Sequence, residues 1–328
     1  VNKLKTIKPG RTQWNEWLNR FGPLIGLFLV YILFAVIGPE SFSSLRNLET
    51  IARQTTIVGI AALGMTMVII SGGIDLSVGS IIALSTVVIA WLLRAGFSPL
   101  IAAAGGVLVG ALSGLMNGLL ITRLRVVPFI VTLGTLLFLR GVAKGIAGEQ
   151  KIDAPLSWLN DLLAALPLQR SWLIFSPGVW IMIILAILVA VLLHYFRLGR
   201  HIFAVGSNEK TARLSGVNTN RVKIAVYTLS ATFTGIAGVM QFSRLTVGDP
   251  TVAVGLELDV IAAVVIGGGS LNGGEGSILG SIIGAFIMTV IRSGCSQMGL
   301  PNWVQEIVTG AIIVLAVALD RLRHRRNS

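Results

Sequence analysis

At 328 residues, 54% hydrophobic and only 12% charged, with a mean hydropathy of +0.84, the chain is far too apolar for a soluble domain and reads as an integral membrane protein. A formal net charge of +12 is compatible with nucleic-acid binding in other settings, but here the basic residues flank apolar runs instead of alternating with aromatics on a polar surface, so no nucleic acid is expected. A single cysteine, Cys295, excludes an internal disulfide and a cysteine metal cluster, and His194, His201 and His324 form no close pair for zinc, so no metal or cofactor is expected in this chain.

Residues 1–20 carry Lys3, Lys5, Lys8, Arg11 and Arg20 and read as a cytoplasmic tail. The apolar run after them lacks a small-residue cleavage site and reads as a retained anchor. Apolar runs bounded by charges predict about ten spans, at 21–38, 55–70, 78–93, 98–121, 128–146, 178–196, 223–242, 258–271, 277–292 and 303–319. An even count puts both termini on one side. Arg123, Arg125, the loop 197–223 and the basic tail 320–328 then share the cytoplasmic face, while Glu40, Glu49, Glu149, Asp153, Asp161, Asp249, Glu257 and Asp259 collect on the other. The expected fold is an all-α integral membrane domain over 21–319, with about ten transmembrane helices and two short glycine-rich interrupted hairpins.

The first hairpin breaks at Ser71-Gly72-Gly73-Ile74-Asp75-Leu76-Ser77-Val78-Gly79-Ser80. Backbone without helical hydrogen bonds is tolerated in lipid only where protein buries it or a wet cavity lines it, so the break is expected to face a cavity or an aqueous surface. Asp75 or Ser77 is expected to cap the following helix. A plain hairpin with Asp75 as a solvated cap is the blander alternative. In the fourth and ninth spans, Gly106, Gly110, Gly114 and Gly118, and Gly276, Gly280 and Gly284, recur every fourth residue, as close helix packing requires.

Late in the fifth span, Arg140 and Lys144 lie four apart, and they either snorkel to the outer surface or face a cavity. In the external segment 148–177, Trp158, Trp172 and Phe175 read as interfacial anchors ahead of a protein-docking site. Within the loop 197–223, Ser207 or Asn208 is placed to cap a short helix through Glu209, Ala212 and Arg213 that stops near Gly216. That helix either docks on a soluble partner or lies on anionic headgroups. A second break, 267–277, joins the eighth and ninth spans and echoes the first; paired interruptions of this kind point to a transport pathway.

Gly64-Met65-Thr66, the first break, Glu257-Leu258-Asp259, the run Ala262 to Leu271, and the loop phrases Gly206-Ser207-Asn208-Glu209 and Arg213-Leu214-Ser215-Gly216-Val217-Asn218 together resemble the permease subunits of ribose-type ABC importers, in the branched-chain amino acid and ribose permease superfamily. The resemblance implies a multi-pass protein of the bacterial inner membrane that imports a monosaccharide or related polyol. It implies a second permease subunit, identical or paired, a periplasmic sugar-binding protein, and a cytoplasmic ABC ATPase subunit that holds ATP and Mg2+. It also favours ATPase docking for Ser207, Asn208, Glu209, Ala212, Arg213 and Gly216.

The chain has no Walker motif of its own, so it is expected not to be an enzyme. A neutral sugar needs hydrogen-bonding groups, which places Ser71, Gly72, Gly73, Asp75, Ser77, Gly268, Gly269 and Asn272 on the expected pathway. The alternatives are an ion-coupled secondary transporter built on Asp75, Arg140 and Lys144, and an ABC permease for nucleosides or branched-chain amino acids. An intramembrane enzyme using Ser71 or Ser77 lacks a nearby base.

Overall fold

A computed structural model describes residues 9–166 and 174–327. Among the described residues the regular structure is helical apart from one antiparallel pair of two-residue strands, β1 (Ile152–Asp153) and β2 (Val247–Gly248). The helices are α1 (Pro9–Ile37), α2 (Leu45–Ile70), α3 (Val78–Arg94), α4 (Pro99–Leu124), α5 (Pro128–Ala147), α6 (Pro177–Tyr195), α7 (Arg197–Ser207), α8 (Glu209–Leu214), α9 (Thr219–Leu245), α10 (Leu256–Ile266), α11 (Ile278–Gln297) and α12 (Asn302–Asn327). Each expected apolar span coincides with one of these helices. Among the described residues, six helices are long and apolar enough to cross a membrane, and Phe21–Ile37, Val78–Arg94 and Asn302–Leu315 are shorter apolar stretches.

Several boundaries differ from the hydropathy reading: α2 starts ten residues early at Leu45, α12 continues through the expected basic tail to Asn327, and α10 ends at Ile266, five residues short of the expected span. α1 continues back to Pro9, because helical hydrogen bonding runs on through polar residues that an apolar window does not count. Residues 197–207, read as loop, form α7, whose Gly199, Ile202 and Val205 recur on one buried face. Residues 1–8 of the expected tail and Trp172 lie outside the described residues.

Burial separates core from shell. In the most apolar window of α2, 89% of residues are buried, against 72% in α11 and 56% in α9, but only 22–28% in α4, α5 and α6. α2, α9 and α11 therefore form the centre. The outer helices turn Leu108, Leu112, Leu137, Phe138, Ile184 and Leu188 outward, as lipid contact demands. The glycine stripes sit at the closest helix approaches: a Cβ at Gly114 would overlap the Tyr227 carbonyl on α9, and one at Gly284 would overlap the Ala263 carbonyl on α10.

Candidate translocation and coupling site

α2 stops where Gly72 takes φ +80° and the Gly73 N–H bonds to the Val68 carbonyl at 3.0 Å. The chain then runs without helical bonds to α3. Neither Asp75 nor Ser77 caps α3 through its side chain, contrary to expectation. Asp75 Oδ1 instead accepts from the Ser77 N–H at 2.9 Å and its hydroxyl at 2.6 Å, a local Asx turn that fixes the break. Other helices hold it in place. Asn117 Nδ2 of α4 donates to Ser77 Oγ at 3.0 Å, Thr132 Oγ1 of α5 donates to the Ile74 carbonyl at 3.2 Å, and Tyr227 OH of α9 donates to the same carbonyl at 3.4 Å.

Gly72 is exposed at the end of the break, whereas Asp75 and Ser77 are fully buried and Ser71 nearly so, which corrects the alternative of Asp75 as a solvated cap. Protein, not solvent, satisfies the unwound backbone. Replacing Asp75 with alanine is expected to lower stability by about 1–3 kcal/mol, because two buried Ser77 donors lose their acceptor, while Asp75→Asn keeps an acceptor and costs less. Thermal unfolding of the purified protein in detergent checks this, and equal melting of all three proteins would contradict the brace.

In the second break, the Gly269 N–H bonds to the Val264 carbonyl at 2.8 Å, Gly268 takes φ +94°, and Ser270 is buried with its N–H on the Glu275 carbonyl at 3.2 Å. Gly269 is buried, whereas Gly268 and Asn272 are exposed. Asn272 does not join the Asp75 cluster through any hydrogen bond among the described residues.

The breaks meet elsewhere, and the loop between α6 and α9 meets both. Gly274 N–H donates to the Ile70 carbonyl, the last of α2, at 2.8 Å. Gly206, near the end of α7, lies so close that a Cβ there would overlap the Ile70 carbonyl oxygen and stand 2.7 Å from Gly274 N. A Cβ at Gly273 would be 3.0 Å from Gly72 Cα. Sequence reading placed Gly206 in the family phrase but gave it no role; a glycine in a polar loop carries no local sign of such an approach.

Beyond this junction, α8 forms as expected, with Asn208 rather than Ser207 as its cap: Asn208 Oδ1 accepts from the Thr211 N–H at 3.0 Å. Ala212 is buried against the bundle, Gly216 ends the turn at φ +86°, and Leu214 is 89% exposed. Glu209 turns inward. Its Oε2 accepts from Lys223 Nζ of α9 at 2.8 Å and its Oε1 from Arg213 Nη2 at 3.2 Å, while Arg213 also donates to Thr219 Oγ1 at 3.1 Å. Burial pushes the Glu209 carboxyl up, but the Lys223 bond and charge outweigh it and hold the carboxyl below its ordinary value.

At the opposite end of the bundle, the chain after β2 descends along α3. Asp249 N–H bonds to Thr86 Oγ1 at 3.2 Å, and by Ala253 the backbone has reached Gly79, where a Cβ would overlap the Ala253 carbonyl. α10 thus starts inside the protein, and its 11 residues span about 16 Å, roughly half a hydrocarbon core. Arg140 is only partly buried. Its Nη1 donates to the carbonyls of Pro250 at 3.0 Å and Val252 at 2.6 Å, satisfying the non-helical descent, while Lys144 is exposed. Lys151 pairs with Asp249 at 3.4 Å beside the β1 and β2 clasp. A polar depression of about 370 Å³ opens at this end between the turn before α2 and the end of α11, lined by Ser41, Ser44, Arg46, Asn47, Thr50 and Gln297.

An all-α bundle of apolar spans with two interrupted hairpins that meet at α7 defines a multi-pass membrane protein. The chain belongs to the family described as branched-chain amino acid transport system / permease component, whose model matches residues 47–317. It is 38% identical over 316 residues to the ribose import permease protein of Escherichia coli (strain K12), covering 96% of this chain and 98% of that one. The L-arabinose ABC transporter permease protein of Azospirillum brasilense is 36% identical over 323 residues, covering 98% and 93%, and the fructose import permease protein of Rhizobium meliloti is 38% identical over 307, covering 91% and 84%. No solved structure matches the chain.

Proposed function

We propose that this chain is the permease subunit of a binding-protein-dependent ABC importer for a monosaccharide or related polyol. Two such subunits form the pathway in the bacterial inner membrane, a periplasmic sugar-binding protein delivers the solute, and a cytoplasmic ATPase that holds ATP and Mg2+ drives the cycle. The carrying observation is the contact of α7 with both breaks at Gly206, Ile70 and Gly274. A partner that moves α8 thereby moves the ends of α2 and of the loop before α11 together. Only contacts that differ between two states shift the balance between them, and this junction is where such a difference reaches the bundle.

The clustering of cations at the α7 and α8 end supports placing that end, and both termini, in the cytoplasm. The sugar and arabinose, ribose or fructose specificities named for the relatives support the substrate class. In this reading Ser207, Asn208, Glu209, Ala212, Arg213 and Gly216 build the coupling element, and Ser71, Gly72, Gly73, Asp75, Ser77, Gly268, Gly269 and Asn272 belong to the moving breaks.

Affinity purification of the tagged chain in mild detergent is expected to recover a cytoplasmic ATPase, whose hydrolysis in proteoliposomes rises severalfold with the sugar-loaded binding protein. Uptake by the purified chain alone, driven by an ion gradient without ATP, would overturn the proposal in favour of secondary transport.

A further inference from the structure

The polar depression between the turn before α2 and the end of α11 lies at the far end of the bundle from the coupling route, and its hydrogen bonds define what it has left to offer a ligand. Most of its donors are already spent within the protein. Ser41 Oγ donates to Gln297 Oε1 at 2.8 Å, Ser44 Oγ to the Ser41 carbonyl at 2.6 Å, Thr50 Oγ1 to the Arg46 carbonyl at 2.9 Å, and Asn47 Nδ2 to the Phe42 carbonyl at 2.7 Å.

Two donor groups remain. Arg46 is exposed and its side chain makes no ion pair or hydrogen bond among the described residues, and the Gln297 side chain is bonded there only through Oε1. Neighbouring charges do not neutralise Arg46. Arg53, whose Nη2 donates to Thr50 Oγ1 at 3.3 Å, is paired with Glu49 at 3.7 Å, and Glu40, next to Ser41, forms no ion pair among the described residues.

A guanidinium fork and an amide NH2 with no acceptor of their own match an oxyanion, and a phosphate fits the fork. The Ser41, Ser44 and Thr50 oxygens have given away their protons but keep lone pairs, so they accept from hydroxyl groups. Phosphate and hydroxyls on one headgroup satisfy both sets. The depression also opens at the ends of α2 and α11, two helices long and apolar enough to cross a membrane, where headgroups lie. Leu45, 85% exposed, Leu48 and Met298 are exposed sequence neighbours of the lining residues and give it an apolar shoulder. We infer that the depression binds an anionic phospholipid with a hydroxylated headgroup: phosphate on Arg46 and Gln297 Nε2, hydroxyls on Ser41, Ser44 and Thr50, acyl chains against Leu45, Leu48 and Met298. The assignment is independent of which solute the bundle carries.

The test is native mass spectrometry of the purified, delipidated full chain, titrated with phosphatidylglycerol or phosphatidylcholine. Phosphatidylglycerol is expected to bind roughly tenfold more tightly, because choline offers no hydroxyl and brings a cation toward Arg46. That preference is expected to vanish in Arg46→Gln, to survive in part in Arg46→Lys, which keeps the charge without the fork, and to persist in Arg94→Gln, at the exposed end of α3. An unchanged preference in Arg46→Gln overturns the site, as does an equal loss in Arg94→Gln, which would assign the effect to surface charge in general. Glycerol 1-phosphate, which has the headgroup without the chains, is expected not to displace the lipid even in large excess; displacement would assign the depression to a soluble phosphate ester and overturn the lipid reading. Lipid-free Arg46→Gln is expected to melt with the wild type, and phosphatidylglycerol to raise the Tm of the wild type alone. A lower Tm for the lipid-free variant would show Arg46 bracing the fold and remove it as a free donor.

Discussion

Gly206→Val is expected to abolish coupled uptake, with sugar-stimulated ATP hydrolysis falling at least tenfold, while the ATPase still copurifies. The reason is steric. Any Cβ at this position overlaps the Ile70 carbonyl oxygen and crowds Gly274 N, whose bond to that same oxygen at 2.8 Å joins the two breaks. The backbone of α7 must retreat, or the bond must part. Overpacking of this kind costs about 1–3 kcal/mol, the same size as typical coupling free energies between distant sites, so it is large enough to erase the transmitted signal. α8 lies beyond Gly206 and is held to α9 by Glu209 and Lys223, so its docking face survives.

Gly134→Ala serves as the control, because a Cβ on that α5 glycine meets nothing within 4 Å. Added helix propensity there is worth about 0.5–1 kcal/mol, and uptake is expected to stay at the wild-type level. Uptake and hydrolysis in proteoliposomes decide the matter, and a Gly206→Val transporter with wild-type uptake would remove the junction from the coupling path.

Much of this architecture is legible before any coordinates. Spans in lipid announce themselves by length and by flanking charge, so a helix lies at each place that hydropathy marks, although α2, α10 and α12 differ from the expected bounds by five to ten residues. Local chemistry is legible too, as in Asn208 capping α8 with Gly216 closing it. What is not legible is anything decided between helices. Asn117 reaches Ser77 across 40 residues and Tyr227 reaches Ile74 across 153, and neither has a local pattern that marks it.

For the same reason Asp75 reads as a cap: its own sequence neighbourhood is that of a cap, and only the packing of α4, α5 and α9 reveals a buried brace. α7 is missed because a half-polar helix of 11 residues is too short and too charged for a span filter.

Charge reversal at Glu209 is the second large effect expected, and it separates two roles that the sequence leaves together. In Glu209→Lys the new ammonium faces Lys223 and Arg213, replacing two attractions with two repulsions. Exposed pairs are worth about 0.2–1 kcal/mol each, so neutral Glu209→Gln is expected to retain a large share of coupled hydrolysis, while the reversal frees α8 and reduces hydrolysis tenfold or more. If Glu209 acts as an internal brace, the exchange Glu209→Lys with Lys223→Glu restores the pair in reverse and recovers activity. Direct pairing of Glu209 with a cation on the ATPase predicts no recovery, and that outcome would displace the brace.

Acid provides an independent reading. The folded carboxyl is held below its ordinary value of 4.5, so its contribution is fully present above that pH and is lost as pH falls through the lower folded value. ATPase capture by the wild type should therefore hold to about pH 4.5 and weaken below it, whereas the Glu209→Gln protein, with no carboxyl to titrate at this position, should show no such step.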